Sequence, residues 1–478
     1  MIRIDGTALT TADIVAAARR NDVIELTQEA RSRVGASAAL AERIAAERPL
    51  YGRSTGVGAN RNVSVDDPAG HARALLRSHA TSAGPLRSPV RVRAMLVVRI
   101  NQLAAGGSGA SPAVLDGLAA MLAADALPYV REHGSVGTSD LPALATTALA
   151  LMGEAPTTFP LSTRVELGAA DALPLMSSNA ATIGDAALAG ADLMELARAS
   201  VVVAALTFAG VDGNREAFAE LVERVTPFAG ARQVCRWMRA LTDGATPAAR
   251  IQDPFGLRTL PQVHGVTIDA LRRLDEVVRL LANAPSENPV FLEGSDGRDQ
   301  IAHHGGFHAS YLSAALDAAT LAVAESATLA LARIAILIDP SATGLPPFLG
   351  DGQPGSSGVM VLEYVGASAL GDARVLATPT GLQTVVLSRG LEEVASFASL
   401  AARQAAAVAE PVQLLLACEL VAAVRALRAK NFLPDNELLA QAIAMCAELP
   451  DDLVDRDLTD DVDVASRVLP ALASLLAD

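Results

Sequence analysis

Between Phe307 and Asp339 the chain has no glycine or proline, and Leu312, Leu316, Ala319, Val323, Ala327, Ala330 and Ile334 recur at helical spacing. Most other positions there are also Ala, Leu or Ile, which predicts a helix buried on every side. At about 1.5 Å per residue it would run roughly 45–50 Å. That exceeds what a small domain needs and predicts a long bundle completed by other subunits. The same periodicity predicts helices over 184–209, 264–283, 389–408 and 411–429. Pro411 suits a first turn, where its missing N–H costs nothing. Up to about residue 160 the pattern differs. Short helical runs alternate with turns such as YGRSTGVGANRNVSVDDPAG and LAAGGSGASPAV, and loops on a rigid scaffold are where sites tend to lie. The expectation is a mostly α protein with a loop-rich N-terminal part, residues 1–160, and a helical bundle, residues 161–478.

Composition sharpens this. Apolar residues make up 51% of the chain but aromatics only 3%, so the core is built from Ala, Leu and Val. The formal charge of −15 argues against a nucleic-acid surface. The short basic run RSPVRVR from Arg87 reads as the solvated start of a helix. Cys235, Cys418 and Cys446 form no CxxC pair, and the last two sit in apolar helical contexts as small buried hydrophobes. A reduced, cytoplasmic setting fits. The N-terminus lacks a basic region followed by an apolar run. The most apolar stretch, from Leu321, carries Glu325 and Arg333, both costly in lipid, and so reads as a buried helix with no membrane partner. The acidic run PDDLVDRDLTDDVD lacks the central glycine of a calcium loop and reads as solvated surface.

Several segments then become specific. They are YGRSTGVG at 51–58, LLRSHATSAGPL at 75–86, RINQLAAGGSG at 99–109, GSVGTSDLPALATTALALMGE at 134–154, IQDPFGLRTLPQVHG at 251–265, HHGGFHA at 303–309 and RIAILIDPSATGLPPFL at 333–349. Together, and in order, they resemble the histidine/phenylalanine ammonia-lyase family, whose members carry a methylidene-imidazolone (MIO) electrophile made from their own backbone. The resemblance implies a long-helix fold and a homotetramer with shared active sites. It places Tyr51 where the family has its catalytic tyrosine base and Arg258 where it has the arginine that binds the substrate carboxylate. A guanidinium fork matches a carboxylate bidentately. It assigns Gln252, Phe255, Phe307, Ser178 and Glu363 to the substrate pocket, and His79 to the selectivity position.

The family's electrophile forms from Ala-Ser-Gly, when the Gly nitrogen attacks the Ala carbonyl with loss of two waters. A residue without Cβ closes that ring freely. Here the segment is Thr138-Ser139-Asp140. Thr138 supplies the same carbonyl and Ser139 is kept, but the glycine is deleted and Asp140 would have to attack. Ser177-Ser178 replace the family's Asn-Gly, with Asn179 displaced, and Phe255 replaces a tyrosine. The expectation is that the MIO group is lost and no cofactor is used, while the pocket and a proton-transfer residue remain.

Other readings stand beside these. Tyr51 could be a structural tyrosine in a Gly-rich turn, and Arg258 could pair with Asp253. His303, His304 and His308 resemble a metal cluster, but adjacent histidines are poor ligands on one helix face. Ser139, also a candidate catalytic residue, has no sequence-adjacent His to activate it. GVGANRN follows no strand and opens no long helix, so it is not a dinucleotide fingerprint. Three functions follow: a lyase, cyclase or isomerase using acid–base chemistry on a small, amino-acid-derived carboxylate; an ordinary MIO-dependent ammonia-lyase or aminomutase; or a non-catalytic binding homologue.

Overall fold

The computed structural model describes residues 1–244 and 247–476. The chain is mostly helical, with three two-stranded sheets among the described residues. It divides into two compact units, neither contiguous in sequence. The first comprises Met1–Ala191, Leu274–Leu316 and Thr380–Arg403. The second comprises Asp192–Arg273, Asp317–Pro379 and Gln404–Asp478. The boundary expected near residue 160 falls inside the first unit.

In the first unit Pro89–Ala104 is buried along nearly its whole length. Its close neighbours are small: a Cβ on Gly184 would lie 2.9 Å from the backbone of Ala94 and Met95. The helix Pro68–His79 starts on Asp67, whose side chain accepts from Gly70 N, with Pro68 in the first turn. It packs on Leu141–Leu151. The basic run before Pro89–Ala104 is not solvated as expected. Arg87, Arg91, Glu132 and Asp185 form one network, with Arg87–Asp185 at 2.5 Å and Arg91–Asp185 at 2.7 Å. Arg87 and Arg93 are buried. Each guanidinium met carboxylates or carbonyls during packing, and sequence spacing does not show such long-range partners.

In the second unit Val361–Leu376 packs on Ala409–Ala429, which in turn meets Thr459–Ala473. Gly366 permits the first contact, since a Cβ there would lie 2.7 Å from Leu415 Cδ1. The fully buried Arg333–Glu419 pair, bidentate at 2.6 and 2.8 Å, also takes the Thr207 hydroxyl. By length and composition Ala172–Gly210, Ser310–Leu337 and Ala398–Ala429 are long and apolar enough to cross a membrane. Arg333 and Glu419 lie on two of these stretches and satisfy one another inside the protein.

The expected helix over 307–339 forms as Ser310–Leu337, that over 184–209 as Ala180–Gly210, and that over 264–283 as Leu260–Ala282. Two details differ. Ser310–Leu337 is not buried on every side, since Tyr311 and Leu321 are exposed in the single chain. The expected helix at 389 begins only at Ala398, because Arg389, Gly390 and Phe397 have φ of 57°, 82° and 52°. The acidic run is partly structural: Asp455 accepts from Ser356 Oγ and from Ser357 and Gly358 N, and buried Asp461 pairs with Arg456. Cys418 and Cys446 are buried, and burial pushes each thiol up to about 12.

Candidate functional site

The strand Arg131–His133 pairs with Ala83–Leu86 and runs into the segment 134–140. That segment is pinned on both sides. Val136 O accepts from Phe397 N at 2.8 Å, and Ser135 O from Ser399 Oγ at 2.8 Å. Gly137 O accepts from Ser396 Oγ at 3.0 Å and Ala309 N at 3.1 Å. Gly137 has φ +87°, and a Cβ there would meet Ser396 Oγ at 2.0 Å, so only glycine fits.

Ser139 is buried at φ +78°, a left-handed conformation that is costly for a residue with a side chain. Its N–H donates to Asn179 Oδ1 at 3.1 Å, and Asn179 Nδ2 donates to Phe307 O. Asn179, expected to be displaced, therefore still meets the loop. Asp140 N donates to Ser178 O at 2.6 Å. Its buried carboxylate takes Thr182 N at 2.7 Å and Thr182 Oγ1 at 2.9 Å. Burial pushes the Asp140 carboxyl up, against the opposing pull of Arg87 and the Thr182 bonds.

A cavity of about 1090 Å³ opens beside this loop, lined within the first unit. It brings together Tyr51, His79, Thr138, Ser139 and Phe307 from the sequence-derived set. One face of Pro68–His79 supplies His71, Leu75 and His79, spaced by four residues. The rest of that set lies elsewhere. Asp140 is behind the wall, and Ser178 is fully buried with its hydroxyl on Gln102 Oε1 at 2.5 Å. Gln252, Phe255, Arg258 and Glu363 belong to the second unit and are not among the lining residues. Arg258 lies over the Phe255 ring at 4.7 Å and donates to the Asp253 backbone oxygen at 3.2 Å. The Asp253 carboxylate instead takes Arg250 at 2.9 Å. Glu363 faces a groove with Leu331 and Tyr364.

Tyr51 is held by its own loop: its hydroxyl accepts from Gly58 N at 2.8 Å. Burial pushes the phenol above its ordinary range, the Gly58 bond and Arg61 opposing this and Glu392 adding to it. It therefore rests protonated at neutral pH, a proton donor rather than a resting base. His79 Nδ1 lies 3.0 Å from Leu75 O. The same nitrogen lies 3.0 Å from Ser78 Oγ, whose hydroxyl donates to Leu75 O; a hydrogen on Nδ1 suits both contacts and leaves Nε2 to accept. His303 stands edge-on to Tyr51, ring centroids 6.2 Å apart. Burial, with Arg48 and His304 adding, lowers its pKa and keeps it neutral. His304 is instead structural, bonded to Glu287 O at 2.7 Å and Gly306 N at 2.9 Å. His308 bonds Ser310 and the Val394 carbonyl. Sequence reasoning had weighed His303 only as a metal ligand and had not singled out His71. The eight-residue separation of His71 and His79, two four-residue steps along one helix face through Leu75, is the available signal.

Three comparisons bear on this site. The family described as aromatic amino acid lyase matches residues 9–448. A histidine ammonia-lyase of Sorangium cellulosum is 34% identical, over 99% of this chain and 98% of its own. One from Geobacillus thermodenitrificans is 32% identical, over 90% of this chain and 89% of its own. Among solved structures, tyrosine aminomutase from Streptomyces globisporus superposes with a TM-score of 0.92 at 26% identity, covering 99% of this chain and 97% of that one. Histidine ammonia-lyase from Trypanosoma cruzi gives 0.89 at 25% identity, covering 99% and 94%.

Proposed function

The chain belongs to the aromatic amino acid lyase family, and within it we propose an enzyme that works by acid–base chemistry without the MIO electrophile. Its substrate is a small carboxylate-bearing compound derived from an amino acid, and its setting is a cytoplasmic homotetramer. Tyr51 gives a proton and an imidazole, His79 through Nε2, takes one. The reaction is a lyase, cyclase or isomerase step.

One observation carries this reading. Ring closure requires the Asp140 nitrogen to turn onto the Thr138 carbonyl carbon. That N–H is committed to Ser178 O at 2.6 Å, and Thr182 holds the carboxylate on the same residue. Turning it would break three bonds made by buried groups, and an unsatisfied buried group costs about 1–3 kcal/mol each. The residues present do not fit the group. Glutamine, phenylalanine and arginine at 252, 255 and 258, with Glu363, enter this reading only as contributions to a pocket from another copy of the chain.

The second reading, an MIO-dependent histidine ammonia-lyase or aminomutase, is favoured by the names of the relatives and by Asn179 at the loop. Intact mass separates the two. The expected result is the mass calculated from the sequence, with Ser139 a plain serine. A mass short by two waters would sink the MIO-independent reading, and Ser139→Ala would then abolish ammonia release from histidine.

A further inference from the structure

The acid–base scheme above leaves the Ser139 hydroxyl without a task, and the fold leaves it without a partner. Ser139 is 5% exposed and lines the cavity. Its N–H donates to Asn179 Oδ1 at 3.1 Å and its carbonyl accepts from Ser135 Oγ at 3.2 Å. Its Oγ makes no hydrogen bond among the described residues, and it is not one of the partnerless polar atoms sealed from solvent. The small open part of this side chain therefore includes the hydroxyl, and it opens onto the cavity.

The groups around it are those that activate a serine. The chain runs from the strand Arg131–His133 through Gly137 to Ser139, and the helix Leu141–Leu151 starts two residues later. A left-handed serine between strand and helix holds its hydroxyl out at the head of the helix. The Asp140 N–H is committed to Ser178 O. The Leu141 N–H belongs to the helix's first turn and donates to no group among the described residues, and Leu141 lines the cavity. The Tyr51 hydroxyl accepts from Gly58 N and finds no acceptor for its own hydrogen among the described residues. Two donors are thus free where negative charge could develop. The imidazole that the sequence around Ser139 lacks comes from the helix Pro68–His79. His79 lines the same cavity, with Nδ1 on Leu75 O and Ser78 Oγ and Nε2 left to accept.

We propose that Ser139 is a nucleophile and that this cavity carries out acyl transfer on a small ester. Ser139 Oγ bonds to the acyl carbon while its proton passes to His79 Nε2. The carbonyl oxygen takes up the electron pair and is held by the Leu141 N–H and the Tyr51 hydroxyl. The pair returns as the alcohol leaves, carrying away the proton from His79. Water then attacks the acyl-serine, giving its proton to the same imidazole. The acid departs, and the proton returns to Ser139 Oγ. This activity presupposes the plain serine of the reading above and goes beyond it in making Ser139 the attacking group.

The test uses the full-length protein with phenylmethylsulfonyl fluoride and p-nitrophenyl acetate as probes. Intact mass is measured first, before any probe is added. A mass short by two waters overturns the plain-serine reading and the nucleophile with it. From the calculated mass, the sulfonyl fluoride should add one phenylmethylsulfonyl group per chain with loss of fluoride, and peptide mapping should place it on Ser139. The ester should release p-nitrophenolate, at a rate that falls about a hundredfold in His79→Gln. Ser139→Gly takes the left-handed backbone without strain. With an unchanged melting curve, it should lose both the label and the release. The calculated mass with no label on Ser139, or a label and a release that survive Ser139→Gly, overturns the nucleophile and leaves the acid–base reading standing. An unchanged rate in His79→Gln overturns the transfer as written.

Discussion

Histidine does opposite things at different places in this chain, and the difference lies in what each ring nitrogen meets. His79 and His303 face a cavity. His264 is closed away, with Nε2 on Ser200 Oγ at 2.8 Å and Nδ1 unpartnered. Burial, with Arg333 nearby, holds its pKa well below the ordinary 6.5. The unfolded chain therefore takes up a proton near pH 6.5 that the folded chain refuses. Stability from this group is full above 6.5 and falls as pH drops below it. The slope approaches about 1.4 kcal/mol per pH unit while the folded ring stays neutral. Melting temperature followed from pH 8 to 5 should show this acid limb, and His264→Gln should flatten it. An unchanged limb in that variant would assign the effect to other groups. Nothing in PQVHG distinguishes this histidine from a catalytic one. Its role depends on Ser200 and Arg333, 64 residues before it and 69 after, and only folding reveals them.

Helices were the most legible elements, because periodicity depends on near neighbours. Ser310–Leu337 and Ala409–Ala429 follow from spacing alone. The Tyr51 loop and the Thr138-Ser139-Asp140 segment were legible as motifs, and the cavity does bring Tyr51, His79, Ser139 and Phe307 together. The register of Asn179, the buried arginine network and the late start at Ala398 were not, since each is decided by partners far along the chain. Helical glycines show the same contrast. Gly371 lies exposed within Val361–Leu376 with nothing within 4 Å of a new Cβ. Gly371→Ala should stabilise by about 0.5–1 kcal/mol through helix propensity. Gly184 has the same propensity to gain, but its Cβ would lie 2.9 Å from backbone that cannot rotate away. Gly184→Ala should therefore destabilise by about 1–3 kcal/mol. Denaturant unfolding of both variants is the measurement, and equal shifts in one direction would show that local propensity decides both.

At the scale of the whole molecule, the question is what covers the apolar surface that one chain leaves bare. Isolated exposed hydrophobes are ordinary. A contiguous apolar face is less so, and generally marks an interaction surface. Within the second unit, Ser310–Leu337 and Val361–Leu376 line a groove of about 600 Å³ with Leu331, Ala332, Ala335, Tyr364, Ala367 and Leu370. Tyr364 is 67% exposed and Val375, one residue from the groove-lining Arg374, 72%. A helix predicted from its pattern to be buried all round is thus half finished in the single chain, and the homotetramer in our proposal supplies what would finish it. Sedimentation velocity should therefore find a species well above the 49.1 kDa of one chain. Ala335 is exposed in that groove, so Ala335→Arg puts a charge on the face without opening a cavity in the core. Burying an unpaired guanidinium at an interface is expensive, and the variant should sediment as a smaller species with its helical content retained. Because Gln252, Phe255 and Arg258 belong to the second unit and do not line the cavity of the first, dissociation also separates two accounts of the site. If carboxylate binding disappears with the assembly, residues of a neighbouring copy are needed for it. If binding persists in the dissociated variant, one chain holds the substrate by itself.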